Sequence, residues 1–180
     1  EGKDVVWIPT PQVVVDKMLD LARVGPRDFV MDLGSGDGRT VITAAKRGAR
    51  AIGIEYNPDM VEYARRSAQQ AGVADRASFV KADLFETDLS KATVISLFLL
   101  PDINLKLRPK ILDLKPGTRV VSNTFSMGEW KEDDRVDLSR DIKRSTPTQR
   151  TALFNGAVRD LEALKAKVVA GRSDRYEIFH

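Results

Sequence analysis

The chain has 180 residues, 42% of them apolar and 31% charged, with 12 Gly and 8 Pro, the size and composition of one ordinary globular domain. No apolar run approaches the ~18 residues of a membrane span. The lack of Cys and the single His, His180, exclude disulfides, a cysteine nucleophile, a Ser-His-Asp triad and thiolate or His-based metal centres.

Residues 12–24 place Val14, Val15, Met18, Leu19 and Leu21 on one helical face after Pro9-Thr10-Pro11, so an amphipathic leading helix is predicted, ended by Gly25-Pro26. Phe29-Val30-Met31-Asp32-Leu33 is a short apolar run that stops at a glycine cluster and reads as the first buried strand. A helical pattern over 40–46 and a second apolar strand over 51–54, ending at Glu55, come next. Asn57-Pro58-Asp59 then has the residues of a helix cap, with the helix running to about Ala71.

Further strands are expected over 77–80, ending near Asp83, over 93–98, and over 118–122 after a helix over 102–114. Strands apolar on both faces and separated by helices predict an α/β fold: a doubly wound, mostly parallel, Rossmann-like sheet with helices on both faces. The charged stretch 131–137 reads as a solvated loop, and Ser145-Thr146-Pro147-Thr148 as a break. Phe154, Val158, Leu161 and Leu164 fit a helix. Residues 166–170 and 176–179 suggest an antiparallel C-terminal hairpin turning at Gly171 to Asp174. The whole is expected to be one domain: a leading helix segment (1–27), a cofactor-binding core (28–125) and a C-terminal part (126–180) that is poorly matched to known motifs.

The segment Asp32-Leu33-Gly34-Ser35-Gly36-Asp37-Gly38 carries most of the chemistry. Three glycines spaced by one residue, where a strand passes into a helix, let the backbone approach a ligand closely. A dinucleotide fingerprint, G-x-G-x-x-G, requires glycine where this chain has Arg39, whereas G-x-G-x-G preceded by an acid fits a methyltransferase loop. Glu55, at the end of the second strand, is placed to accept from ribose hydroxyls, and Tyr56 and Asn57 follow it. Asp83 is placed to accept from an adenine amino group, with backbone at Leu84 meeting the ring; its alternative is a turn or helix cap.

With these residues, the chain resembles class I (seven-β-strand) S-adenosylmethionine-dependent methyltransferases over about 29–122. It is similar in particular to small prokaryotic relatives of the mitochondrial protein-lysine methyltransferases that modify ATP synthase c-subunit and adenine nucleotide translocase. Pro9-Thr10-Pro11, Asp32 to Arg39, Asp83-Leu84-Phe85, Asp88-Leu89-Ser90, Leu99-Leu100-Pro101, Leu105-Lys106-Leu107-Arg108-Pro109-Lys110 and Arg119-Val120-Val121 carry the match, which fades after Trp130. The resemblance implies S-adenosylmethionine as cofactor and lysine N-methylation of a protein acceptor. It also implies that the segment at Thr10 folds over the cofactor and that Phe98, Leu99, Leu100 and Pro101 line an acceptor channel; core packing is the other reading of those side chains.

Phe98-Leu99-Leu100-Pro101-Asp102 stands where enzymes acting on planar nitrogens carry an Asp/Asn-Pro-Pro-Tyr sequence, which lowers the nucleobase reading. Asp102 reads either as a group that orients an amine or as a helix cap, and no residue is singled out as catalytic. Lys106 and Lys110 read as a solvated face, and Met127 and Trp130 as rim contacts or packing. The alternatives are methylation of a small molecule or RNA, and a non-catalytic S-adenosylmethionine-binding module. A net charge of +3, spread over 29 basic and 26 acidic residues, leaves nucleic acid the weaker partner class. The cofactor's site of synthesis points to the cytoplasm, although a first residue Glu1 leaves a removed leader open.

Overall fold

A computed structural model describes residues 8–138 and the backbone of 150–155. The elements are α1 (Gln12–Leu21), β1 (Phe29–Leu33), α2 (Arg39–Lys46), β2 (Arg50–Glu55), α3 (Pro58–Gln70), β3 (Ala77–Lys81), β4 (Val94–Leu97), α4 (Pro101–Leu112), β5 (Arg119–Asn123), β6 (Asp134–Asp137) and β7 (Arg150–Asn155). They build a seven-stranded sheet in the order β3-β2-β1-β4-β5-β7-β6. β1 to β5 are parallel, while β7 runs antiparallel to both β5 and β6.

Alternation along the strands divides the core in two. Val30, Val94 and Val121 pack with side chains of α1, α2 and α3, whereas Met31, Leu33, Ile95, Leu97 and Val120 pack with Leu107, Ile111 and Leu112 of α4. Helices therefore cover both faces, as a parallel sheet requires. In α1, Val14, Val15, Met18 and Leu19 are buried, each worth about 1.5–3 kcal/mol relative to exposure. This stripe fastens the leading helix across the sheet.

Several boundaries differ from the sequence reading. α1 ends at Leu21, three residues early, because Arg23 (φ 51) takes the left-handed position of a Schellman motif. Its amide donates to the carbonyl of Asp20, and that of Val24 to the carbonyl of Leu19. Gly25 and Pro26 come only afterwards. The stretch expected as a solvated loop contains strand β6. An edge strand needs only one buried face and is protected by charge on the other side, so Arg135 and Asp137 mask it while Val136 packs on the core. Phe154, expected in a helix, lies in β7; the rest of that helix and the hairpin over 166–179 fall outside the described residues. Antiparallel strands do close this side of the sheet, but β6 and β7 supply them. Among the described residues, no helix is long and apolar enough to cross a membrane.

Candidate functional site

Strand order reverses between β1 and β4, and the crevice outside the carboxyl ends of such strands is where open α/β sheets take ligands. The Gly-rich loop lies there. Gly34, Gly36 and Gly38 all have positive φ, at 78°, 51° and 81°. The amides of Gly34 and Ser35 donate to the carbonyl of Ile54 at 2.8 and 3.1 Å, which ties the loop to β2. A Cβ on Gly38 would lie 2.6 Å from the Phe79 ring, and one on Gly34 would lie 2.9 Å from Leu99 Cδ2. Gly38, hemmed in by Phe79 and by Ala64 Cβ at 2.8 Å, thus requires glycine for space as well as for conformation, whereas Gly34 requires it for its positive φ. Gly53 is needed for space in β2, since its Cβ would sit 2.4 Å from Ser35 Oγ.

Glu55 closes the loop. Its Oε2 accepts from the amide of Gly36 at 2.9 Å, and its Oε1 accepts from the amides of Tyr56 and Asn57 at 2.9 and 3.0 Å. A carboxylate offers about four accepting positions, so roughly one remains. The Asn57 side chain caps α3 by accepting from the amide of Asp59 at 2.9 Å, as its position before Pro58 suggested. The amide of Ala82 donates to the carbonyl of Glu55 at 3.0 Å, which sets Asp83 and Leu84 directly beside Glu55. Asp83 Oδ1 accepts from the amide of Phe85 at 2.9 Å, a turn-forming bond, and Leu84 packs half-buried on the core.

Asp32 is not at the loop surface but inside β1, abreast of Gly53 and Ser96 and 6% exposed. Burial pushes its pKa from 3.8 up to about 7; the Ser96 hydroxyl opposes the shift, and the charges of Glu55 and Asp37 add to it. Asp37 is engaged by Arg39, whose guanidinium donates to it at 2.5 to 3.0 Å and also to the carbonyl of Thr10 at 2.8 Å. Arg39 entered the sequence reading as the last residue of the glycine-loop motif and as a mismatch to another fingerprint, with no role of its own. It joins the leading segment to the glycine loop.

On the β4 side, Leu99 covers Gly34, and the Phe98 ring stacks on Phe125 with centroids 6.1 Å apart and planes 17° from parallel. Leu100, 45% exposed, is the N-cap residue of α4, and Pro101 begins the helix. Asp102 lies in the first turn and is not the cap. Lys110 Nζ donates to the carbonyl of Phe85 at 2.7 Å, so it is not purely solvated. Met127 and Trp130 are buried and bridge each other, which makes them packing residues rather than rim contacts.

The model of the ANTKMT methyltransferase domain matches residues 32–134, a span that contains the loop, Glu55, Asp83, β4, α4 and β5. The chain belongs to the ANTKMT methyltransferase domain family. This methyltransferase is S-adenosylmethionine-dependent. It is 47% identical over 137 residues to a protein-lysine N-methyltransferase of Saccharolobus islandicus, covering 74% of this chain and 85% of that protein. It is 35% identical over 128 residues to the mouse ATP synthase c-subunit lysine N-methyltransferase, with 71% of this chain and 51% of that protein covered. The chain thus spans about half the length of the mouse relative. A crystal structure from Salinibacter ruber, described as an RNA methyltransferase in complex with S-adenosyl-L-homocysteine, is 49% identical with a TM-score of 0.75, covering 82% of this chain and 93% of that one.

Proposed function

We propose that this methyltransferase holds S-adenosylmethionine in the crevice between β1, β2 and β4 and methylates the ε-amino group of a protein lysine. The cradle fits that cofactor on three counts. The loop backbone is kept bare by glycines at 34, 36 and 38. Glu55 retains an accepting position for a ribose hydroxyl, with Tyr56 and Asn57 beside it. Ser35 Oγ and Asn123 Nδ2 are buried without a protein partner, and buried polar groups are ordinarily satisfied. Asp32, behind the loop, is the counter-charge for the cationic end of the cofactor. Asp83 and Leu84 flank Glu55 on the adenine side, and Asp37, through Arg39, holds Thr10 over the loop.

When bound, the cofactor supplies a methyl group on a sulfonium, with a good leaving group already in place. The observation that carries the lysine reading is the apolar edge after β4, Phe98 to Pro101, which presents no acidic or basic side chain until Asp102. An amine needs only to be neutral and aligned. Desolvation against Phe98, Leu99 and Leu100 lowers its pKa, so the proton leaves to solvent before attack. With the cofactor bound, Phe98, Leu99 and Leu100 would hold the neutral amine in line with the methyl group and keep water from it. The lysine-modifying activities of the archaeal and mouse relatives support the same acceptor.

Calorimetric titration of S-adenosylhomocysteine into wild type and Glu55→Ala tests the cradle. The expected result is saturable binding, weakened at least about tenfold by loss of a charged hydrogen-bond acceptor; unchanged affinity refutes the assignment. Labelled methyl transfer to cell extract tests the acceptor. Label removed by protease, resistant to ribonuclease and located on lysine is expected. The Salinibacter relative favours a second reading, an RNA acceptor, and label removed by ribonuclease would establish it instead.

A further inference from the structure

Backbone strain lies just past Asn123, the last residue of β5, whose Nδ2 faces the cradle without a protein partner. Thr124 has φ 66, an outlier for a β-branched residue, and the amide of Phe125 donates to the carbonyl of Asn123 at 2.7 Å. A bond from residue i to i+2 around a centre of positive φ is a γ-turn of the rare, strained kind. Side chains clamp it from several directions. Ser122 Oγ donates to the carbonyl of Phe125 at 2.7 Å, Thr124 Oγ1 to Asn123 Oδ1 at 3.1 Å, and Asn104 Nδ2 of α4 to the carbonyl of Ser126 at 3.3 Å. One residue on, Arg108 Nη1 donates to the carbonyl of Met127 at 2.8 Å. Such strain persists where the surroundings over-determine it, and it clusters at functional sites.

Core packing does not account for this expense, because the side chain the turn delivers is only half-buried. That side chain is Phe125, stacked on the equally half-buried Phe98. Phe98 leads into Leu99, which covers Gly34, and into exposed Leu100. The aromatic pair therefore extends an apolar wall from the glycine loop across β4 to the carboxyl end of β5, on a rigid support.

We propose that Phe125, held against Phe98 by the turn at Thr124, is a specificity-determining residue that receives the alkyl stem and amine of the acceptor side chain. The inference rests on the lysine reading of the site. Aromatic faces bury the methylenes of such a stem, keep water from the nitrogen and hold the methylated ammonium product by cation–π attraction.

The test uses the full chain bound to S-adenosylhomocysteine, with ¹³C-labelled phenylalanine rings, and n-butylamine as the probe for a lysine side chain. Saturable shifts of the Phe98 and Phe125 rings are expected in wild type, and they disappear from Phe98 in Phe125→Ala. In the same variant, KM for a methylated protein acceptor rises about tenfold, the equivalent of one aromatic contact, while S-adenosylhomocysteine affinity stays within about threefold. Phe125→Leu keeps an apolar side chain in place and guards against a folding failure. Thr124→Gly relieves the turn and keeps or raises the thermal midpoint, yet weakens butylamine binding; a purely structural turn would leave that binding unchanged.

Rings that ignore butylamine, or wild-type KM in the Phe125 variants, overturn the proposal. Rings that respond to uridine or adenosine but not to butylamine overturn the amine assignment in favour of a stacked base. Butylamine titration requires no natural acceptor, so failure at Phe125 is distinguishable from failure of the lysine reading, which the labelled-extract experiment reports by itself.

Discussion

Replacing Asp32 by Asn should stabilise the ligand-free protein and weaken its hold on the cofactor, and the size of the first effect follows from burial. The carboxyl is nearly inaccessible and its pKa is raised from 3.8 to about 7. A raised acid binds its proton more tightly in the folded state, so wild type loses stability as pH climbs above 3.8, and the loss levels off above about 7. At about 1.36 kcal/mol per pK unit, the loss between pH 5 and pH 8 is about 2–3 kcal/mol. An Asn has no such titration. Urea unfolding of wild type and Asp32→Asn at both pH values should therefore show the variant's advantage widening by that amount at the higher pH. Parallel curves, with a difference that does not change with pH, would refute the burial argument. The same ionisation gives the second effect its sign: a cationic ligand favours the carboxylate, so S-adenosylmethionine affinity should rise with pH up to about 7 in wild type and stay flat in the variant.

Gly53→Ala should drive a methyl group into Ser35 Oγ and the Phe79 ring, at 2.4 and 2.6 Å, and destabilise the fold by about 1–3 kcal/mol, as overpacking does; calorimetric melting checks it, and an unchanged midpoint would show that the loop can move aside. Arg39→Met removes the donor to the Thr10 carbonyl. Hydrogen exchange should then accelerate at Val14 and Val15, whose amides donate to the carbonyl of Pro11, and remain as in wild type at Ile42; uniform exchange rates would mean that the leading segment is held by α1 alone.

The glycine loop was legible because its requirement is local: a left-handed backbone and tight neighbours admit little besides glycine, whatever the rest of the chain does. Glu55 was legible as an acid at a strand end, but its service to the amides of Gly36, Tyr56 and Asn57 depends on how two loops meet. Arg39 was legible as part of the glycine-loop motif but not in what it holds. Its bond to Thr10 joins residues 29 apart, and nothing in the intervening sequence reports it. Thr124 and Phe125 were missed for the opposite reason, since β-branched residues are the ones local preference steers away from positive φ, and strain imposed by tertiary contacts runs against every local signal. The end of α1 and strand β6 were misjudged on the same grounds, with Arg23 doing what glycine usually does and charged residues covering a strand edge.

The place of β1 in the sheet has a bearing on biosynthesis. β1 is flanked by β2 on one side and by β4 on the other, and β4 begins only at Val94. A growing polypeptide that has released the glycine loop from the ribosome must still emit about sixty residues before that second flank exists. At roughly 5–20 residues per second, the loop waits several seconds with an open strand beside it, exposed to chaperones and to other nascent chains.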